Sequence, residues 1–208
     1  MQEKEEKVAK REREAEILAA AKKVFAEQGY HDASIDDIIK EADIARGTFY
    51  LYYNSKRAIF DAILNLTLEE VDRHIEAIRL EPGEPSPVDQ VKANVRRVFN
   101  LLIQDRHVAD ILFVRALGID AEAMETLTAF YRKIAELLGR ALSQGMTIGL
   151  LNKCDPEIAA YSIIGSVKEV LVRVVLDGKP SAAKIDAVID EIIRINLYGF
   201  YTRGGLIQ

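Results

Sequence analysis

An arginine, a glycine and a tyrosine within five residues have the chemistry to contact a nucleic acid. At about 100° per residue, Arg46, Gly47 and Tyr50 fall on one arc of a helix. A guanidinium can reach a guanine edge or a phosphate, and a glycine lets the backbone approach a groove closely. A tyrosine can offer its ring to a thymine methyl or its hydroxyl to a phosphate oxygen. This arc therefore predicts a surface that contacts DNA.

Residues beside this arc extend the predicted surface. Thr48 and Tyr52 lie to its side and are placed for phosphates. Lys56 is in the first turn of a following helix that Asn54 would cap, and a helix N-terminus together with a cation favours an anion. Residues 44–60 contain no Asp or Glu, so we expect this segment to be locally positive in an acidic chain.

The local sequence predicts two short helices that would hold the arc in place. Ser34 and Asp37 have the spacing of a capping box, and Ser34 also lies on the predicted DNA-contacting surface. Asp43 falls where a tight turn needs a residue that tolerates the left-handed region. A second helix is expected from Ala45 to Tyr52, with Phe49 facing inward. This is helix-turn-helix geometry.

The run DIARGTFYLYYNSKRAIF closely resembles the recognition segment of TetR-family transcriptional repressors. The likeness lies in a turn, a Thr before two aromatics, a further aromatic and a Ser-Lys that opens the next helix, and it is dense over about 50 residues. It implies an operator-binding head and a divergent helical body that binds an effector and dimerises. Asp43 replaces the more usual glycine of the turn. Asp36 stands where many members have a polar or basic residue, and an acid there can only accept from a cytosine amine or face solvent.

Composition and charge set the broad class of protein. The chain has 208 residues, of which 49% are hydrophobic and 29% charged, as in soluble globular proteins. No apolar run is long enough to span a membrane, the N-terminus is a charged run, and Cys154 is the single cysteine, so we expect a cytoplasmic protein. The net charge of −5 argues against nucleic-acid binding. However, residues 1–57 are nearly balanced, with 11 Lys+Arg against 12 Asp+Glu.

Helical periodicity continues along the whole chain and predicts an all-α fold of about nine helices. We expect an N-terminal helix that ends at Gly29, a long helix from Asn54 to about Leu80, and a proline-rich loop over residues 81–87. Further helices are expected at Val88 to Gln104, His107 to Leu117, Ala121 to Gln144, Pro156 to Leu176 and Ser181 to Tyr201. The predicted domains are a helix-turn-helix DNA-binding domain, 1–57, and a helical effector-binding and dimerisation domain, 58–208.

The last two predicted helices have broad apolar faces. In the TetR family this pair forms a four-helix interface between two copies, whereas the alternative is packing within one chain. A homodimer also suits DNA, because two recognition helices must reach major grooves about 34–36 Å apart. The residues predicted at the interface are Ile163, Val167, Val170, Val174, Ile185, Val188 and Ile192.

The sequence shows no catalytic or metal-binding motif, so we expect no enzyme, no cofactor and no metal site. A few polar side chains lie on otherwise apolar middle helices. They are either anchors in a mostly apolar effector pocket or satisfied and surface residues. The candidate anchors are Asn94, His107, Arg115, Tyr131 and Tyr161. We expect an apolar, aromatic or lipid-like effector; the alternative is a body that docks a protein partner.

Overall fold

The computed structural model describes residues 2–114, 121–176, 178 and 180–199. These residues form nine α-helices and one π-helical turn, Asp110–Val114, and they contain no strand, which confirms the all-α prediction. None of the described helices is both long and apolar enough to cross a membrane. The helices are α1 Gln2–Gln28, α2 Ile35–Glu41, α3 Arg46–Tyr50, α4 Lys56–His74, α5 Pro87–Gln104, α6 Arg106–Ala109, α7 Ala121–Thr147, α8 Pro156–Leu176 and α9 Ala182–Tyr198.

The chain packs as two compact units. Unit 1 comprises Met1–Glu69 and Asp105–Tyr131, and unit 2 comprises Glu70–Gln104 and Arg132–Gln208. Helices α4 and α7 each contribute residues to both units. The division into domains 1–57 and 58–208 stays a prediction.

Unit 1 is built on α1. The inward face of α1 includes Ile17, Ala21 and Phe25, all buried, as the periodicity predicted. The ring of Phe25 lies 5.5 Å from that of Tyr30 and 5.9 Å from that of Phe60, measured between centroids. Such tilted and edge-on aromatic contacts stabilise a core beyond the area that they bury. This cluster ties α1 to the start of α4, and α1 also packs against α2.

The same unit contains α6 and the π-helical turn. Lys22 on α1 forms a 2.7 Å ion pair with Asp105, whose carboxylate also accepts from the backbone N–H of Val108 and caps α6. The prediction of one regular helix from His107 was wrong, because α6 gives way to a π-helical turn. Periodicity did not reveal this, since over five residues an α-helix and a π-helix present the same apolar run. Residues 115–117 of the predicted helix lie outside the described part of the chain.

Unit 2 packs α5 against α9 and α9 against α8. Two ion pairs join α5 to α9: Lys92 with Asp190 at 2.7 Å and Arg96 with Asp186 at 2.8 Å. The buried side chains of this unit include Phe99, Leu102, Leu171, Ile189 and Ile193. The amphipathic pattern of α5 is therefore satisfied by an apolar inner face and a charged outer edge.

Helix α4 ends at His74, six residues before the predicted end near Leu80. Two amide side chains on α5 hold the segment that follows. Asn94 accepts from the N–H of Glu76 at 2.9 Å and donates to its carbonyl at 2.8 Å. Gln90 bonds Arg79 in the same way, at 2.8 and 2.7 Å. We call Gln90 and Asn94 the amide clamp; because it satisfies these backbone groups, the segment needs no helical hydrogen bonds there.

Candidate nucleic-acid interface

The first helix of the candidate site, α2, begins with a complete capping box. The Ser34 hydroxyl accepts from the backbone N–H of Asp37 at 3.1 Å, and the Asp37 carboxylate accepts from the backbone N–H of Ser34 at 3.0 Å. The Ser34 hydroxyl also donates to this carboxylate at 2.5 Å. Hydrogen bonds from Ser34 lower the pKa of Asp37. The predicted cap is confirmed, while a DNA contact by Ser34 stays a prediction.

The turn between α2 and α3 has the predicted geometry. Asp43 has a φ of 51°, in the left-handed region that Asp tolerates better than most residues. Helix α3 covers Arg46–Tyr50 and is shorter at both ends than the predicted Ala45 to Tyr52. The N–H groups of Leu51 and Tyr52 bond carbonyls only three residues back, so the helix tightens and ends there.

The two faces of α3 differ as expected. Phe49 is fully buried, whereas Arg46, Gly47 and Tyr50 are exposed, and Thr48 is half-buried. Apart from its own helix turn, no atom of the described residues lies within 4 Å of where a Cβ on Gly47 would stand. The backbone at this glycine is therefore open to a close approach.

A hydrogen bond to α1 holds the residues that follow α3. Tyr53 is buried, and its hydroxyl donates to Glu14 at 3.2 Å, while Tyr52 is half-buried. Burial, and then the negative charge of Glu14, raise the pKa of the Tyr53 phenol.

Arg46 has an ion-pair partner on the neighbouring helix. Its Nη1 lies 2.8 Å from Oδ1 of Asp36 in α2, and its guanidinium lies 5.9 Å from the ring centroid of Tyr50. A hydrogen bond with Tyr50 and the charge of Asp36 raise the pKa of Arg46. Asp36 therefore contacts the candidate base-reading arginine, a role that the sequence alone did not suggest.

Lys56 turns inward instead of facing solvent. Its ammonium donates to the backbone carbonyls of Tyr30, His31 and Ala33 at 2.7, 3.0 and 2.8 Å. It also lies 4.6 Å from the ring centroid of Tyr30. An ammonium carries three N–H donors, and all three are used here. A phosphate contact by Lys56 stays a prediction that this geometry does not favour.

Each of the three cations in residues 44–60 has an internal partner. Arg46 pairs with Asp36, Lys56 bonds three carbonyls, and Arg57 donates to Asp61 at 2.7 Å. Both carboxylates come from just outside the acid-free stretch. The expected positive field is therefore weaker than the sequence of the stretch suggested.

Sequence reasoning missed Leu51 at the end of α3. Its side chain is 79% exposed, which is unusual for a large apolar residue beside a buried core. It follows Tyr50 directly, at the rim of the candidate interface. An apolar side chain in this place can contact a thymine methyl.

The candidate effector residues fall in both units. In unit 1, His107 is exposed and the Tyr131 phenol donates to the carbonyl of Leu112 at 2.8 Å; burial raises the pKa of Tyr131. In unit 2, Tyr161 is 44% exposed, and Asn94 belongs to the amide clamp. Arg115 lies outside the described residues.

A cavity of about 320 Å³ lies beside the amide clamp in unit 2. Most of its lining side chains are charged or carry an amide, among them Glu76, Arg79, Glu84, Asp89 and Arg97. Such a lining suits polar groups better than an acyl or aromatic effector.

The candidate interface residues of α8 and α9 differ in burial within a single chain. Val174, Ile185 and Ile192 are already buried by their own chain. The side chains that remain half-buried are Ile163, Val167, Val170 and Val188. Only this second group leaves apolar surface for a second copy, and the interface stays a prediction.

A capped α2, a left-handed turn and an exposed α3 held by a buried phenylalanine define a helix-turn-helix DNA-binding protein. Residues 17–63 match the family model for bacterial regulatory proteins of the tetR family. Residues 90–201 match the model for the C-terminal domain of AefR-like transcriptional repressors. The chain belongs to the tetR family of transcriptional regulators, as its recognition segment predicted.

Similar proteins are known in sequence and in structure. The uncharacterised HTH-type transcriptional regulator YdgC of Bacillus subtilis (strain 168) is 28% identical, over 92% of this chain and 94% of its own. The structure of the fatty acid degradation regulator FadR from Bacillus halodurans is 26% identical, with a TM-score of 0.75, over 92% of this chain and 97% of its own. FadR from Bacillus subtilis, solved in complex with stearoyl-CoA, shares the fold at 22% identity and a TM-score of 0.76. The match covers 90% of this chain and 99% of the FadR chain.

Proposed function

We propose that this protein is a repressor that binds a palindromic operator as a homodimer and leaves it when a lipid-like effector binds the helical body. The observation that carries the proposal is the outward face of α3. Arg46 and Tyr50 are exposed on a five-residue helix that the buried Phe49 anchors. A rigid helix with exposed polar and aromatic groups has the form that enters a major groove.

Fatty acyl thioesters are the effector class that we propose. One similar protein is named a fatty acid degradation regulator, and another was solved with stearoyl-CoA. The cavity beside the amide clamp is too charged for an acyl chain, so we do not assign the effector to it. Helix α8, which contains a long series of Ile, Val, Leu and Ala residues, is the part of the helical body best suited to an acyl chain.

Coupling between effector and operator runs through helices that contribute both to the DNA-contacting interface and to the effector-binding body. Helix α4 begins at the interface with Lys56 and continues to His74 in unit 2. Within unit 1, the Lys22–Asp105 ion pair joins α1, the platform of the interface, to α6. A ligand that prefers one position of these helices shifts operator affinity by its difference in affinity for the two states.

Titration of a selected operator tests this function. The operator is selected from random duplex DNA and titrated with protein, alone and with stearoyl-CoA, with free CoA as the control. We expect the acyl-CoA to weaken operator binding by about 5- to 150-fold, the usual range of allosteric coupling. The function fails if no sequence is enriched. If operator binding is specific but no acyl compound changes it, a body that docks a protein partner becomes the better account.

A further inference from the structure

We propose that Asp36 is a specificity-determining residue, which holds the Arg46 guanidinium for a base edge and disfavours its use on phosphate. This inference rests on the proposed function, because it concerns how the same interface tells its operator from other DNA. Asp36 lies on α2 and Arg46 on α3, so the contact crosses the turn of the motif.

The guanidinium is held from two sides. Nη1 of Arg46 is 2.8 Å from Oδ1 of Asp36, and the Tyr50 ring lies 5.9 Å from its central carbon. The carboxylate and the ring come from different helices, and together they restrict where the planar fork points. Both charged side chains remain open to a ligand, with 64% of Arg46 and 69% of Asp36 exposed. The pair is therefore preoriented and still accessible.

The pairing discriminates between two kinds of DNA contact. A guanidinium carries five N–H donors, so donors remain for the O6 and N7 acceptors of a guanine after one serves Asp36. A phosphate competes for the same donors, but its negative charge is repelled by the carboxylate, whereas a guanine edge is neutral. Phosphates occur at every sequence and carry no sequence information. Asp36 therefore penalises non-specific contacts by Arg46 more than specific ones.

The other cations of the stretch do not share this task. Lys56 is used by three backbone carbonyls, and Arg57, with only 23% of its side chain exposed, pairs with Asp61. Arg46 is thus the cation that residues 44–60 present most openly. Control over this one arginine governs much of the local attraction to DNA.

Replacement of Asp36 by Asn removes the charge and keeps the size. Exposed ion pairs contribute little to stability, so Asp36→Asn should fold and melt like wild type. We expect tighter binding to random duplex, a steeper salt dependence by roughly one counterion, and a fall of about fivefold or more in the ratio of operator to random affinity. Asp32→Asn is the matched control, because Asp32 is an exposed acid in the loop before α2. It should change both affinities by the same factor.

A double-mutant cycle assigns the effect to the pair. In an Arg46→Ala background, Asp36→Asn should no longer change the affinity ratio, because the interaction that it acts through is gone. The inference is overturned if Asp36→Asn leaves the ratio at its wild-type value while wild type still selects its operator. If wild type itself shows no preference over random DNA, the proposed function fails and the inference fails with it.

Discussion

The ammonium of Lys56 lies 4.6 Å from the ring centroid of Tyr30 and donates to the carbonyl of the same residue at 2.7 Å. One side chain at the start of α4 thereby fixes the loop between α1 and α2. The loop carries the N-cap of α2, so the contact sets where the helix-turn-helix begins. We therefore expect Lys56 to act on DNA binding through the fold of the interface.

Lys56→Gln should therefore destabilise the protein. Hydrogen bonds that involve a charged group contribute about 1.5–3 kcal/mol, and three carbonyls lose their donor. We expect a lower melting temperature and weaker binding to all DNA, with an unchanged salt slope. Lys40→Gln, at an exposed position near the end of α2, is the charge-matched control and should melt like wild type. A direct phosphate contact predicts the opposite pattern for Lys56→Gln: unchanged melting and a salt slope reduced by roughly one counterion.

The capping box of α2 predicts a stability loss that depends on pH. Ser34→Ala should cost about 1 kcal/mol at pH 7, and Ser34→Thr should retain most of the cap. Ser34 lowers the pKa of Asp37 from its ordinary 3.8. The stability that the Asp37 carboxylate gains from Ser34 is therefore present above pH 3.8 and is lost as the pH falls through the lowered pKa. The free energies of unfolding of Ser34→Ala and wild type, measured in urea, should thus differ less at acid pH than at pH 7. An equal difference at both pH values would contradict this account.

The amide clamp predicts local protection of two backbone amides. Asn94→Ala should speed hydrogen exchange at the N–H of Glu76, and Gln90→Ala should do so at the N–H of Arg79. The expected factor is roughly fivefold, which corresponds to a net hydrogen bond of about 1 kcal/mol. Each variant is the control for the other, because each amide bonds a different residue. Unchanged exchange in both variants would show that the segment after His74 is held by other contacts.

Gly165 offers a test of the dimer that does not risk the fold of one chain. It lies on α8, and apart from its own helix turn no atom of the described residues is within 4 Å of where a Cβ would stand. In a monomer, Gly165→Ala should stabilise the helix by up to about 1 kcal/mol. If two copies pack closely at this glycine, the same change should weaken dimerisation in sedimentation. The control is Gly139→Ala in α7, whose Cβ would meet only the carbonyl of Pro156, at 3.7 Å.

The helix-turn-helix could be predicted because its determinants are local. The capping box and the turn at Asp43 lie within ten residues of each other. The partners of Arg46 and Lys56 could not be predicted, since Asp36 and Tyr30 are brought to them by folding, from 10 and 26 residues away.

The end of α4 was mispredicted for the same reason. Ile75 and Ile78 continue the apolar spacing, but Gln90 and Asn94 of α5 bond the backbone between and after them. A single sequence shows which residues can cap, turn or face inward. It does not show which distant amide will compete with a helix.

Reciprocal binding of effector and operator tests the central claim most directly. The affinity of stearoyl-CoA is measured for the free protein and for the protein saturated with its selected operator. If the effector releases the repressor, its affinity must fall on operator binding by the same factor by which it weakens the operator, about 5- to 150-fold. Equal affinities for the two forms would contradict the account for this effector, however tightly it binds.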